Sequence, residues 1–110
     1  MMNPERALDA LGDRTRRSIF LRLRRRPRYA GDLARGMRVT RSAVSQHLQV
    51  LKAAGLVSVK VEGTRRLYQV DPEGLAALRT EIDRFWSKTL AAYKLAAEQS
   101  PTDQSAEESQ

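Results

Sequence analysis

The sequence predicts a mainly α-helical domain carrying one small β-hairpin, and three observations support this. Apolar residues recur at spacings of three and four through most of the chain, alternate with polar ones only between Val57 and Val70, and are punctuated by Pro or Gly where each run ends. At 110 residues the chain has room for one core. We take residues 1–99 as that domain and residues 100–110, which hold Pro101 and no apolar residue except Ala106, as a disordered tail.

The elements follow in order. After Pro4, Ala7, Leu8 and Leu11 share a helical face, which Gly12 closes. Asp13 is placed to cap a second helix by accepting from the backbone of Thr15 or Arg16; that helix buries Ile19, Phe20 and Leu23 and ends before Pro27. Tyr29 to Arg35 reads as a brief helix with Tyr29, Leu33 and Ala30 inward, and Gly36 stands where a left-handed cap residue would serve. Thr40 caps the next helix, in which Val44, Leu48 and Leu51 share one face until Gly55 ends it. Two helices joined by a short Gly-containing turn make a helix-turn-helix.

Val57, Val59 and Val61 alternate with Ser58, Lys60 and Glu62, and Tyr68 and Val70 answer them across Gly63-Thr64. Residues 56–70 therefore form a hairpin with Lys60, Arg65 and Arg66 outward. Asp71-Pro72-Glu73 then combines a cap, a Pro at the first helical position and a first-turn acid. The last helix runs to about Gln99 with Leu75, Leu78, Ile82, Phe85, Trp86, Thr89, Leu90 and Tyr93 on one stripe.

Charge narrows the function. Twenty Lys and Arg against 13 Asp and Glu give +7, but residues 1–70 hold 16 basic and 5 acidic residues, a balance of +11, whereas 71–110 hold 4 and 8, a balance of −4. A basic body of this kind meets a polyanion, and nucleic acid leads. The absence of cysteine excludes disulfides, thiolate metal sites and cysteine nucleophiles. With no apolar leader and no run long enough to span a bilayer, the chain reads as cytoplasmic. One histidine, no Gly-rich phosphate loop and no Ser-His-Asp pattern leave no support for an enzyme.

At about 100° per residue, the face of the fourth helix opposite its core positions carries Ser42, Gln46, Gln49 and Ala53, with Arg41 and Ser45 at the edges and Thr40 at the cap. Gln pairs bidentately with adenine and Arg with guanine in the major groove, so these are the base-reading candidates. His47 lies about 60° from the core direction and is a packing or phosphate-contacting residue. Arg14, Arg17 and Lys52 are further phosphate-contacting or supporting candidates, and Lys60, Thr64, Arg65 and Arg66 supply the hairpin's contacts. Eight arginines lie between residues 14 and 28, about half of them expected to face phosphates.

The order of elements matches a winged helix flanked by a first and a last helix. The segments Asp13-Arg14-Thr15-Arg16-Arg17, Val44-Ser45-Gln46-His47-Leu48, Leu51-Lys52, Ala54-Gly55-Leu56-Val57, Glu62-Gly63-Thr64-Arg65-Arg66 and Tyr68 resemble the ArsR/SmtB family of bacterial transcriptional regulators over residues 4 to about 97. Asp83 before Phe85-Trp86 resembles its cysteine-free, non-metal-sensing, actinobacterial-type branch. The resemblance implies a winged helix-turn-helix with N- and C-terminal dimerisation helices: a homodimer on double-stranded DNA, repressing from a palindromic operator in its own promoter. Leu8, Leu11, Leu78, Ile82, Phe85, Trp86, Leu90 and Tyr93 are the expected interface.

The resemblance also locates the metal sites of other members, and this chain lacks their ligands. Where soft-metal sensors carry cysteines, Tyr29-Ala30-Gly31-Asp32-Leu33-Ala34 offers one carboxylate; where zinc sensors carry Asp and His pairs, Asp83 has no histidine to join it. We therefore expect no metal, no cofactor and no membrane partner, and the effector is not legible. The competing reading is a winged-helix module for protein or RNA contacts without base reading, against which Arg41, Ser42, Gln46 and Gln49 speak.

Overall fold

A computed structural model describes residues 2–99; the tail expected at 100–110 lies outside the described residues. The elements are α1 (Pro4–Gly12), α2 (Arg14–Arg25), β1 (Arg28–Tyr29), α3 (Ala30–Arg35), α4 (Arg41–Ala53), β2 (Val57–Glu62), β3 (Arg65–Val70) and α5 (Pro72–Gln99). The chain divides into two compact units, the first ending at Leu78 and the second beginning at Arg79.

Local chemistry sets the helix starts. The side chains of Asn3, Asp13 and Thr40 accept from the backbone N–H of Arg6, Arg16 and Ala43 at 3.1, 2.9 and 3.0 Å, and Asp71 accepts from Glu73 and Gly74 at 3.0 and 3.2 Å. Each satisfies a donor that the first helical turn would otherwise leave without a partner. The Asp13 carboxyl titrates below its ordinary value, chiefly because it accepts from the Arg16 N–H. Helix α4 ends in a Schellman motif: Leu56 N–H reaches Leu51 O at 3.0 Å and Gly55 N–H reaches Lys52 O at 2.9 Å, with Gly55 at φ +81°.

In the first unit, α1 and α2 lay Ala7, Ala10, Ile19, Phe20 and Leu23 against Leu33 of α3 and Val44, Leu48 and Leu51 of α4. Leu56, Val57, Tyr68 and Leu78 close the other side of this core. Gly74, buried at the start of α5, lies so close to the Gly55 carbonyl that an added Cβ would stand 1.8 Å from the oxygen. The residue is glycine because α5 begins against the backbone that ends α4, and Asp71 N–H donates to Leu56 O at 2.9 Å beside it.

The sheet has the order β1-β3-β2, all antiparallel. Glu62 faces Arg65 across the two-residue turn Gly63-Thr64, and Gly63 at φ +62° takes the first central position, as in a type II′ hairpin.

Three expectations are corrected here. Tyr29 is not the first turn of α3 but half of β1, pairing with Leu67, because the chain after Pro27 is extended and meets an open edge of β3. Gly36 has φ −90°, not a left-handed conformation; a Cβ there would lie 2.8 Å from a guanidinium nitrogen at the flexible end of Arg22, whose Nη2 donates to Gly36 O at 3.0 Å. Val61 is exposed rather than on a buried strand face, because the hairpin tip runs past the core that covers Val57.

Candidate nucleic-acid interface

The outward face of α4 presents Arg41, Ser42, Gln46 and Gln49 to solvent, with Ser45 half-buried at its edge, while Val44, Leu48 and Leu51 are fully buried. The division follows from the helical period, which puts the two sets on opposite sides. Thr40 caps the helix by accepting from the Ala43 N–H at 3.0 Å, which leaves its own O–H as a donor at the start of α4.

The hairpin adds a second basic element. Thr64, Arg65 and Arg66 line a pocket of about 390 Å³ together with Arg41 and Ser45 of α4 and Tyr29, Asp32 and Arg35 from the β1–α3 segment. Four guanidinium groups therefore surround one concavity against a single carboxylate. Arg41 lies over the α3 backbone, where a Cβ on Gly31 would meet its Cζ at an ordinary 3.9 Å. Sequence periodicity identifies the α4 and hairpin members of this pocket; the structure adds Tyr29, Asp32 and Arg35.

Acidic residues organise these cations. Asp32 accepts from Arg35 at 2.8 Å and stands 3.9 Å from Arg65. Glu62 accepts the Tyr29 hydroxyl at 2.6 Å and lies 3.9 Å from Lys60, and the Arg65 guanidinium sits 3.5 Å from the Tyr29 ring centroid. The Glu62 hydrogen bond, which favours the protonated phenol, raises Tyr29 above its ordinary pKa.

The remaining candidates separate by what they touch. Arg14, Arg17 and Lys52 are exposed, whereas His47 is half-buried. Arg16 donates from Nε to Ala10 O at 3.0 Å and Arg22 donates to Gly36 O, so two of the eight arginines between 14 and 28 tie helices together. Among the described residues no group of three or more His, Asp or Glu could hold a metal ion.

Of the expected interface residues, Leu8 is 54% exposed, and in the second unit Ile82, Phe85, Trp86, Leu90 and Tyr93 are all exposed. Leu11 is half-buried against the core. Leu78 is corrected: at 4% exposure it belongs to the core of its own chain, which the stripe pattern alone does not distinguish from an outer contact.

A capped helix with a polar outer face, set after a short helix and beside a basic hairpin, defines a winged helix-turn-helix DNA-binding protein. Residues 11–60 match a helix-turn-helix domain family. The chain is 57% identical over 91 residues to the HTH-type transcriptional regulator Rv2034 of Mycobacterium tuberculosis, covering 83% of this chain and 85% of that one. Among solved structures it superposes on the ArsR-like transcriptional regulator from Rhodococcus sp. RHA1 with a TM-score of 0.72 at 32% identity, covering 86% of this chain and 92% of that one. It also superposes on the homodimeric winged helix-turn-helix DNA-binding domain of Mb0332 from Mycobacterium bovis, with a TM-score of 0.62, 28% identity and coverage of 76% and 78%. The chain belongs to the ArsR/SmtB family of winged helix-turn-helix transcriptional regulators. It is a regulator rather than an enzyme, and no described helix is long and apolar enough to cross a membrane.

Proposed function

We propose that this regulator is a homodimer that reads a palindromic operator and represses transcription, including that of its own promoter. The observation that carries the reading is the α4 surface, where Arg41, Ser42, Gln46 and Gln49 are exposed on one face of a helix whose opposite face is the core. Short polar side chains let that helix enter the major groove, Gln46 and Gln49 can address adenine edges, and Arg41 can address guanine or a phosphate. Arg14, Arg17, Lys52 and the hairpin cations Lys60, Arg65 and Arg66 supply sequence-independent attraction on either side.

Self-association is supported by the exposed Leu8, Phe85, Trp86 and Tyr93 and by the homodimeric state of the Mycobacterium bovis domain. A two-fold dimer presents its two reading helices to inverted half-sites. Seated over a promoter, it would exclude polymerase, and a site upstream of its own gene would make it an autorepressor. With no cysteine and one histidine in the sequence, metal release is not part of the proposal.

The test is a gel shift on the duplex upstream of its own gene against a scrambled duplex of equal length. Gln46→Ala is expected to erode discrimination between them by about 1–3 kcal/mol, whereas Arg66→Ala weakens both alike. Equal affinity of the wild type for the two duplexes would overturn sequence-specific reading.

A further inference from the structure

The hairpin outruns the strand that supports it. β1 reaches β3 at two positions, Arg28–Tyr68 and Tyr29–Leu67, and residues 61–66 lie beyond that pairing. Val61, at 66% exposure, shows how little covers the tip. A two-stranded ribbon alone in water is at best marginally ordered.

Tyr29 bridges the gap, beside the longer ion pair of Asp32 with Arg65 at 3.9 Å. Tyr29 ends β1, donates its hydroxyl to Glu62 at 2.6 Å and holds its ring 3.5 Å beneath the Arg65 guanidinium. Glu62 is the last residue of β2 and Arg65 the first of β3, paired across the turn. Tyr29 therefore grips both arms of the hairpin, using a different part of the same side chain for each.

We infer that Tyr29 is a positioning residue for DNA binding: it tethers the hairpin tip to the helix-turn-helix and fixes Arg65 in the pocket shared with Arg41. The inference rests on the reading that this surface receives DNA. An arginine on a loose ribbon loses freedom when it docks on a phosphate, whereas one already stacked on a ring has less to lose. The tether also explains an acid on a basic surface, since the charge of Glu62 is directed at the Tyr29 hydroxyl and at Lys60, 3.9 Å away, rather than at the incoming phosphates. Phenylalanine would supply the ring without the hydroxyl, and leucine neither.

The test is a double-mutant cycle read by fluorescence anisotropy on a 30-base-pair operator duplex, with melting temperature as a folding control. Tyr29→Leu should weaken binding about tenfold and Tyr29→Phe about threefold. The Tyr29→Leu/Arg65→Ala pair should lose clearly less than the product of the two single losses, because a missing guanidinium cannot be misplaced. If Tyr29→Leu fails to fold, Tyr29→Phe, which keeps the ring against Arg65, tests the hydroxyl arm of the tether by its roughly threefold loss and by the order of the tip. In the free protein, 15N order parameters of residues 61–66 should fall in the Tyr29 variants. Multiplicative losses, or unchanged order at the tip, would overturn the tether while leaving DNA binding standing. A wild type that binds no duplex would overturn the reading beneath it, and the tether with it.

Discussion

Replacing Trp86 with alanine is expected to dissolve the proposed dimer without unfolding the chain. Trp86 is 60% exposed and takes no part in the buried core, yet it lies in a run of exposed apolar residues that includes Phe85, Leu90 and Tyr93. A tryptophan carries up to about 250 Å² of surface, so about 150 Å² remains for a partner to cover. At about 25 cal/mol per Å² complete coverage would yield roughly 4 kcal/mol, and half coverage about 2 kcal/mol. A symmetric dimer loses two copies at once, so the conservative figure is about 4 kcal/mol, close to a thousandfold in the dimer dissociation constant. Sedimentation velocity across nanomolar to micromolar concentrations reads this directly, with circular dichroism to show that helix content and melting of the isolated chain are preserved. Operator binding should fall with the dimer, because a lone protomer reaches one half-site. A wild type that is monomeric at micromolar concentration, or a Trp86→Ala dimer as tight as wild type, would refute the reasoning.

Other outcomes follow from charge and packing. A dimer of +7 chains making about 6 to 10 phosphate contacts should lose roughly 10³- to 10⁵-fold in affinity between 50 and 200 mM salt, and a flat log-log plot would speak against a phosphate-facing surface. Gly74→Ala should lower the melting temperature by at least about 5 °C, since a Cβ there falls 1.8 Å from the Gly55 carbonyl oxygen; an unchanged value would mean the two backbones are not in such close approach. Asp13 titrates below its ordinary value when folded, so its stabilisation is present above the unfolded value near 4 and is lost as pH falls through the lowered one. Asp13→Asn keeps a capping oxygen without that titration, and melts between pH 6 and 2 should show a shallower acid limb than wild type; identical limbs would remove Asp13 from the acid response.

What the sequence discloses and what it conceals divide by distance along the chain. Asp13, Thr40 and Asp71 are legible as caps because a cap binds a backbone donor two or three residues on, and the outer face of α4 is legible because it is the complement of Val44, Leu48 and Leu51 on a fixed period. Gly55 and Gly63 are legible for the same reason, since the ends of α4 and β2 call locally for positive φ. Gly74 is not, because its partner is the Gly55 carbonyl on another element, and no local rule distinguishes it from an ordinary first-turn residue. The same limit hides β1, two residues long, whose pairing is with Leu67 and Tyr68.

The candidate site divides in the same way. Its cations and amides come from two local patterns, the helix period and the hairpin alternation, and both are visible in the sequence. Its arrangement comes from Tyr29 and Glu62, which are 33 residues apart, and from Asp32, which stands near Arg65 of the hairpin as well as binding Arg35 three residues on. Net charge directs attention to the arginines and away from carboxylates, since an acid on a phosphate-binding surface counts against binding when residues are only tallied. In three dimensions Glu62 accepts the Tyr29 hydroxyl and Asp32 holds Arg35, so the two acids act on the cations before they act on DNA. For a surface of flexible arginines, binding depends on how many guanidinium groups are already held in place as well as on how many there are, and it is the acids and one tyrosine that hold them.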